Sequence, residues 1–396
     1  MCSSDLDEPT SMLDPEGKAR VFGIVRMLKE QLGVTVVLIE QEVDDILTLA
    51  DRVFVMRSGK FVLSGTPREV FGRVEELRQA GVRVPQIVEF GTLIGAAETP
   101  FTIEEAISAI APASAEEAVS GVTSAFASVS EAANPAAAPR ASRAAQADPV
   151  VEAVDVEFTY PGGARALDGV NLAVGCGDFV AIVGQNGAGK TTLTRHFNGL
   201  LRPSSGDIRV LGRSAQGVPT IELCRHVGYV FQNPDEQLFC TSVQEELRFG
   251  PTNIGVDPHV TSQRVEEILG DIGLTKYREV WPKYLTKGER QRLALASVVA
   301  MDPDVLIVDE PTTGLDWVES LQILDYLERL RDEHKKTIII ITHDMNIVSL
   351  YAKRVVVMAR GRVVGDGTAR EIFSQPDLME LACLRRPPIA DLSQAL

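Results

Sequence analysis

Sliding the 396-residue chain against itself exposes an internal repeat, and the repeat restricts the fold more than any single motif does. Asp7-Glu8-Pro9-Thr10 recurs 302 residues later as Asp309-Glu310-Pro311-Thr312, and the register continues without a gap. Thr35 falls on Thr337, Arg52 on Arg354, Val55-Met56 on Val357-Met358, Gly59 on Gly361 and Gly65-Thr66 on Gly367-Thr368. Self-similarity in one fixed register means two copies of one domain. Residues 1 to about 71 match only the last third of the second copy. The sequence therefore divides into a C-terminal fragment of a first copy (1–99), a linker (100–149) and a complete second copy (150–396). Ala, Ser, Glu and Pro dominate the linker, with almost no large apolar residue after Phe126, so disorder is expected there. Where the second copy has the apolar run Val305–Val308, the first has Cys2-Ser3-Ser4-Asp5-Leu6. Those polar residues are not expected in the middle of a parallel sheet, and the comparison predicts a first copy that extends upstream of Met1.

In the second copy, short apolar runs alternate with helical stretches. Phe179–Val183 precedes a helix from Lys190, Val305–Val308 precedes a helix over 318–331, and Thr337–Ile341 precedes one from Asn346. This alternation predicts an α/β fold with a mainly parallel sheet covered by helices, whose chemistry sits at the carboxyl ends of the strands. A hydrophobic fraction of 45% suits a core-forming chain, while a net charge of −16 disfavours wide contact with a phosphate backbone, so nucleic acid is not an expected partner. The five cysteines are scattered and without C-x-x-C spacing, as in a reduced cytosolic protein. No stretch reaches the roughly 18 to 20 apolar residues of a membrane helix, so any transport role needs other chains to cross the bilayer.

Gly184-Gln185-Asn186-Gly187-Ala188-Gly189-Lys190-Thr191 fits G-x-x-x-x-G-K-[ST], with an apolar strand before it and a helix, beginning Lys190-Thr191-Thr192, after it. Its glycines let backbone N–H groups close around phosphate oxygens, and the helix start adds its dipole. Lys190 is placed to bridge the outer phosphates of ATP, and the Thr191 hydroxyl to hold Mg²⁺. Val305–Val308 ends in Asp309-Glu310, where a carboxylate for the metal and one to polarise the attacking water are needed. An apolar run ending in two acids is common as a solvated strand end. The phosphate loop beside it is what favours the catalytic reading.

With these motifs in place, the second copy resembles the ABC ATPase family, a group of P-loop NTPases. Gln232 in Phe231-Gln232-Asn233-Pro234 is similar to the family's Q-loop glutamine, which senses Mg²⁺ and water and touches the membrane partner. Leu285-Thr286-Lys287-Gly288-Glu289 resembles the signature motif, Leu315-Asp316 the D-loop, and His343 the switch histidine that contacts the γ phosphate. Tyr160 resembles the aromatic residue on which adenine stacks. The resemblance implies a helical signature subdomain and an N-terminal antiparallel β subdomain around the parallel sheet. It also implies ATP with Mg²⁺, a second cassette as partner, separate membrane transport subunits and a peripheral location on the cytoplasmic face of the cell membrane.

Tyr229 to Phe239 and Trp281 to Glu289 resemble energy-coupling factor transporters, the importers of vitamins and of cobalt or nickel ions, in their fused two-cassette form. Carbohydrate, peptide and lipid ABC ATPases share the general motifs, as does the translation-factor branch. The Ala/Ser/Pro linker and acidic total disfavour that branch. A nucleotide binder with little hydrolysis is a further alternative for a chain with one phosphate loop. Two departures matter. The family signature reads Leu-Ser-Gly-Gly-Gln, so Lys287 and Glu289 differ from it, and a carboxylate aimed at phosphate opposes the field of a helix start. The offset places Gln41 where His343 stands, and glutamine cannot become a cation. By resemblance both departures fall on one of two composite sites, leaving the site built on Lys190, Asp309, Glu310 and His343 as the main hydrolytic one.

Overall fold

The computed structural model describes residues 3–10, 13, 15–41, 43–110 and 149–396. They fall into two compact units. The first comprises Met1–Arg143 with Asp316–Val318 and Arg385–Leu396, the second Ala144–Leu315 with Glu319–Leu384.

In the first unit β1 (Ser3–Asp7) and β2 (Thr35–Ile39) pair in parallel and are joined through the helix Pro15–Leu32. β3 (Val53–Arg57) and β4 (Lys60–Gly65) form an antiparallel hairpin. Thr66 then starts the helix Pro67–Phe71 with a reciprocal cap: its hydroxyl accepts from the Glu69 N–H, and the Glu69 carboxylate accepts from the Thr66 N–H. Val55, Leu63, Val70, Phe71, Leu77 and Val88 form the core beneath these elements.

In this unit the structure adds to one expectation from sequence and corrects another. Ser3–Asp7 does form a strand, registered from Ser3 opposite Thr35 to Asp7 opposite Ile39. Among the described residues its sheet has only two strands, so β1 is an edge strand, where polar residues are tolerated. Residues 103–110, assigned to the linker by composition, form the helix Ile103–Ile110. Ile103, Ala106, Ile107 and Ile110 recur at helical spacing and pack with Ile87 and Phe90 of the helix Gln86–Leu93, giving this short segment a face to bury. The rest of the expected linker, 111–148, lies outside the described residues.

The second unit contains β5 (Val151–Thr159), β6 (Arg165–Val174), β7 (Phe179–Val183), β8 (Ser205–Val210) and β9 (Arg213–Ser214). It continues with β10 (Val227–Val230), β11 (Val305–Asp309), β12 (Thr337–Ile341), β13 (Arg354–Ala359) and β14 (Arg362–Gly367). Six of these make one sheet in the order β10-β11-β12-β7-β13-β14, parallel except at the β13–β14 hairpin. The other four make an antiparallel sheet, β6-β5-β8-β9. The α/β architecture read from sequence is therefore present. Every residue of β7, β11 and β12 is buried, which is why these strands read as unbroken apolar runs. Full burial of each Val or Ile there contributes about 1.5 to 3 kcal/mol. Helices Val243–Asn253, Pro258–Asp271 and Lys287–Val299 pack together as a helical layer that carries the signature motif.

Candidate active site

β7 and β11 flank β12 in the sheet, so their carboxyl ends bring the loop after Val183 close to Asp309 and Glu310. The loop turns back on itself through left-handed glycines. A Cβ on Gly184 (φ +147°) would lie 2.1 Å from the Met358 carbonyl, and one on Gly189 (φ +100°) 2.6 Å from the Ala166 carbonyl. Larger residues are excluded at both positions by backbone, not by flexible side chains. The Ala188 carbonyl accepts from the Gly361 N–H at 3.0 Å, pinning the loop to the β13–β14 turn. Gln185, Asn186 and Gly187 stand at the open side of the loop, whereas Ala188, Gly189 and Lys190 are buried. The Lys190 ammonium donates to the Gly184 and Gln185 carbonyls at 2.6 and 3.1 Å, so the charge is folded into the cradle that phosphate oxygens would fill.

The helix Lys190–Phe197 starts at Gly189 and presents Thr191, whose hydroxyl donates to Asp309 Oδ2 at 3.0 Å. The Tyr229 hydroxyl donates to the same oxygen at 2.7 Å. Burial pushes the Asp309 carboxyl up from its ordinary range, the Tyr229 and Thr191 hydrogen bonds oppose this, and neighbouring Glu310 adds to the rise. A hydroxyl and a carboxylate side by side, both hard oxygen donors beside a phosphate cradle, fit a divalent cation such as Mg²⁺. Among the described residues no cluster of three or more His, Cys, Asp or Glu is arranged to hold a metal, so phosphate oxygens would complete such a shell.

Glu310 follows β11 with φ +48°, an uncommon left-handed conformation for a non-glycine residue that costs of order 1 to 3 kcal/mol. Its N–H is held by the Ile341 carbonyl at 2.8 Å, and its carboxylate lies 2.9 Å from His343 Nδ1. Thr313 approaches the other carboxylate oxygen at 3.5 Å. Glu310 and His343, separated by 33 residues in sequence, thus share one hydrogen bond at the edge of the loop. Tyr160 is anchored to the same helix, its hydroxyl 3.0 Å from Thr192 Oγ1 and its ring edge-on to Phe158. Gln232 lies exposed just beyond the end of β10, beside β11.

Thr286, Gly288 and Glu289 are not gathered with these residues. Thr286 caps the helix Lys287–Val299, and Glu289 closes the box by accepting from the Thr286 N–H at 2.9 Å. Burial pushes the Glu289 carboxyl up, but the Thr286 N–H and hydroxyl outweigh it and leave it below its ordinary range. The Glu289 carboxylate, expected from sequence to aim at phosphate, is therefore turned back on its own helix start. A Cβ on Gly288 would meet Glu319, and one on Gly314 would meet the Lys287 ammonium, so this motif abuts the loop after Glu310 and the helix beyond it.

Two supporting residues were not singled out from sequence. Tyr229 orients Asp309, and its place two residues before the apolar-to-polar change at Phe231-Gln232 was the available signal. Gln237 accepts from the Phe231 N–H and donates to the Ala294 carbonyl at 2.7 Å, tying the loop at Gln232 to the signature helix. In the first copy Glu8 repeats the left-handed backbone of Glu310 with φ +42°, and the Gln41 amide donates to its carboxylate at 2.5 Å where His343 meets Glu310.

Comparison with known proteins agrees with this geometry. Residues 167–313 match the family described as ABC transporter. A putative ABC transporter ATP-binding protein of Caldanaerobacter subterraneus subsp. tengcongensis is 38% identical over 395 residues, covering 99% of this chain and 67% of the relative. An energy-coupling factor transporter ATP-binding protein, EcfA, of Methanoculleus marisnigri is 40% identical over 247 residues, covering 62% of this chain and 89% of that protein. In solved structures, cbiO1 from Clostridium perfringens, part of the ABC transporter complex cbiONQ, superposes with TM-score 0.54 at 36% identity over 62% of this chain and 99% of its own. The cassette MJ0796, in a dimeric post-hydrolysis state bound to ADP and Pi, matches with TM-score 0.51 at 26% identity, covering 55% of this chain and 98% of its own. The chain spans about two thirds of the length of the longer relatives, 67%, 65% and 63% for three of them.

Proposed function

Since the chain belongs to the ABC transporter ATP-binding family, we propose that its second unit binds and hydrolyses ATP to drive an importer of the energy-coupling factor type. The observation that carries the reading is the pair of contacts made by adjacent residues, Asp309 with Thr191 and Glu310 with His343, at the mouth of one glycine-rich loop. Lys190 and the loop N–H groups hold the phosphates, Tyr160 receives the adenine, and Thr191 with Asp309 and Gln232 holds Mg²⁺. The cation, when bound, neutralises phosphate charge. Glu310 positions and polarises water for attack on the terminal phosphate, and His343 steadies both its carboxylate and the developing charge.

The likeness to EcfA and to cbiO1 supports the importer class, with a vitamin or a metal ion as cargo carried through separate membrane subunits. Among the described residues no helix is long and apolar enough to cross a membrane, so in this reading the chain works at the cytoplasmic face of the cell membrane through such partners. The partner cassette is supplied by the first copy or by another chain.

Glu310→Gln is the direct test. It should leave ATP binding within a factor of about two and reduce hydrolysis by about two orders of magnitude or more, as for loss of a water-positioning base. Unchanged turnover in the assembled protein would remove Glu310 from the reaction.

A further inference from the structure

His196 belongs to none of the motifs read from sequence and to none of the steps of hydrolysis. It is almost fully buried, four residues beyond Thr192 on the helix that follows the phosphate loop, and residues four apart share a helix face. Its Nδ1 lies 2.6 Å from the Thr192 carbonyl. A carbonyl oxygen can only accept, so Nδ1 carries the proton. Burial holds the imidazole below its ordinary pKa, against the pull of the Thr192 and Arg202 backbone, so the ring packs as a neutral body.

The same ring meets Phe158 edge-on, with centroids 4.9 Å apart and planes at 77°. Phe158 in turn meets Tyr160 edge-on at 4.9 Å and 82°, and the Tyr160 hydroxyl lies 3.0 Å from Thr192 Oγ1. The contacts close a ring: His196 to Phe158, Phe158 to Tyr160, Tyr160 to Thr192, and Thr192 back to His196. Phe158 and Tyr160 stand at the end of β5 in the antiparallel sheet, whereas Thr192 and His196 belong to the helix that carries the phosphate loop. Tyr160 is the exposed member, and the other three are buried.

We infer that His196 is a positioning residue for recognition of the nucleotide base: it holds Phe158 and Thr192, the two groups that fix Tyr160, and so sets the aromatic platform at one place relative to the phosphate loop. The inference rests on the reading that Tyr160 receives the adenine. A tyrosine ring at the end of a strand can turn about its side-chain bonds. Here its ring is held by an edge contact and its tip by a hydroxyl contact, and the imidazole backs both. A platform fixed before the ligand arrives lowers the ordering cost of binding. Simple core packing would account for the burial of His196. An aliphatic side chain in the same slot could neither donate to the Thr192 carbonyl nor present a ring edge to Phe158.

The test compares two ligands on the full chain with Mg²⁺ present: ATP, which uses base and phosphate contacts, and inorganic tripolyphosphate, which uses the phosphate loop alone. Tyr160→Ala, His196→Leu and the double variant are titrated with each. His196→Leu should weaken ATP binding about fivefold or more, the lower end of what a lost stacking contact costs, and leave tripolyphosphate within about twofold. Because His196 acts through Tyr160, the double variant should bind ATP within about twofold of Tyr160→Ala alone. If Tyr160→Ala weakens ATP binding and His196→Leu does not, the inference alone is overturned. If Tyr160→Ala leaves ATP binding unchanged, the adenine reading fails and the inference falls with it. Equal weakening of both ligands by His196→Leu would assign the ring to the fold of the helix rather than to base recognition, and losses that multiply in the double variant would show that it does not act through Tyr160.

Discussion

Two pairs of strands in this molecule have the same pairing and opposite surroundings. β1 and β2 of the first unit are registered as β11 and β12 of the second, Ser3 opposite Thr35 and Val305 opposite Thr337. The hairpins β3–β4 and β13–β14 even share an irregularity, between Val55 and Met56 in one and Val357 and Met358 in the other. Yet Ile39 is 55% exposed where Ile341 is 1%, and Met56 is 58% exposed where Met358 is 0%. The difference is β7. In the second unit it lies between β12 and β13, pairing Ile341 with Ile182 and Val355 with Ala181. Among the described residues of the first unit no strand takes that place. Register, bulge, caps and the left-handed backbone at Glu8 and Glu310 are encoded locally and survive in both copies. Burial and chemistry depend on the central strand, which seals the sheet and also delivers the phosphate loop.

The comparison is most sharply tested by matched substitutions. Ile341→Ala should cost about 2 to 5 kcal/mol, as for truncation in a close-packed core, while Ile39→Ala should stay within about 0.5 kcal/mol. Urea unfolding followed by probes in each unit measures both, and equal costs would break the contrast. Tyr160→Ala should weaken ATP binding by roughly 1 to 3 kcal/mol, the range for a base stacked on an aromatic ring. Isothermal titration decides it, since unaltered affinity would make Tyr160 a packing partner of Phe158 and nothing more. The helix caps should behave the same in both copies. Thr66 and Thr368 each close a capping box, so Thr66→Ala and Thr368→Ala should each cost about 1 kcal/mol locally. Hydrogen exchange of the helices Pro67–Phe71 and Ala369–Phe373 reads the two side by side, and a clear inequality would show that caps too depend on the surrounding sheet.

The elements buried on both faces were legible in sequence because burial leaves no polar position to confuse the pattern. Phe179–Val183, Val305–Val308 and Thr337–Ile341 could be read as strands for that reason. The loop from Gly184 to Thr191 was legible because a Cβ on Gly184 or Gly189 would lie only 2.1 or 2.6 Å from a backbone carbonyl, which leaves glycine as the residue that fits. β1 was not legible. Its residues are polar, and an edge position relaxes the demand for apolar side chains that the reading relied on. The helix Ile103–Ile110 was hidden by the Ala-rich composition around it, and its partner helix Pro388–Ala395 is 278 residues away from Ile110 in sequence. The cap at Glu289 was hidden for a related reason. A carboxylate three residues after a threonine satisfies its own helix start before it can face anything else, and the box at Thr286 does this as the boxes at Thr66 and Thr368 do.

The proposal is that the two copies keep the same local backbone but divide the chemistry unequally, with hydrolysis assigned to the site built on Lys190 and His343. Glu8 with Gln41 and Glu310 with His343 are the matched pairs on which that claim rests. Steady-state ATPase rates of His343→Ala and Gln41→Ala, measured side by side in the assembled protein, test it most directly. The account predicts that His343→Ala removes most of the activity, about tenfold or more, and that Gln41→Ala costs less than about twofold. Equal losses from the two substitutions, or a larger loss from Gln41→Ala, would contradict it.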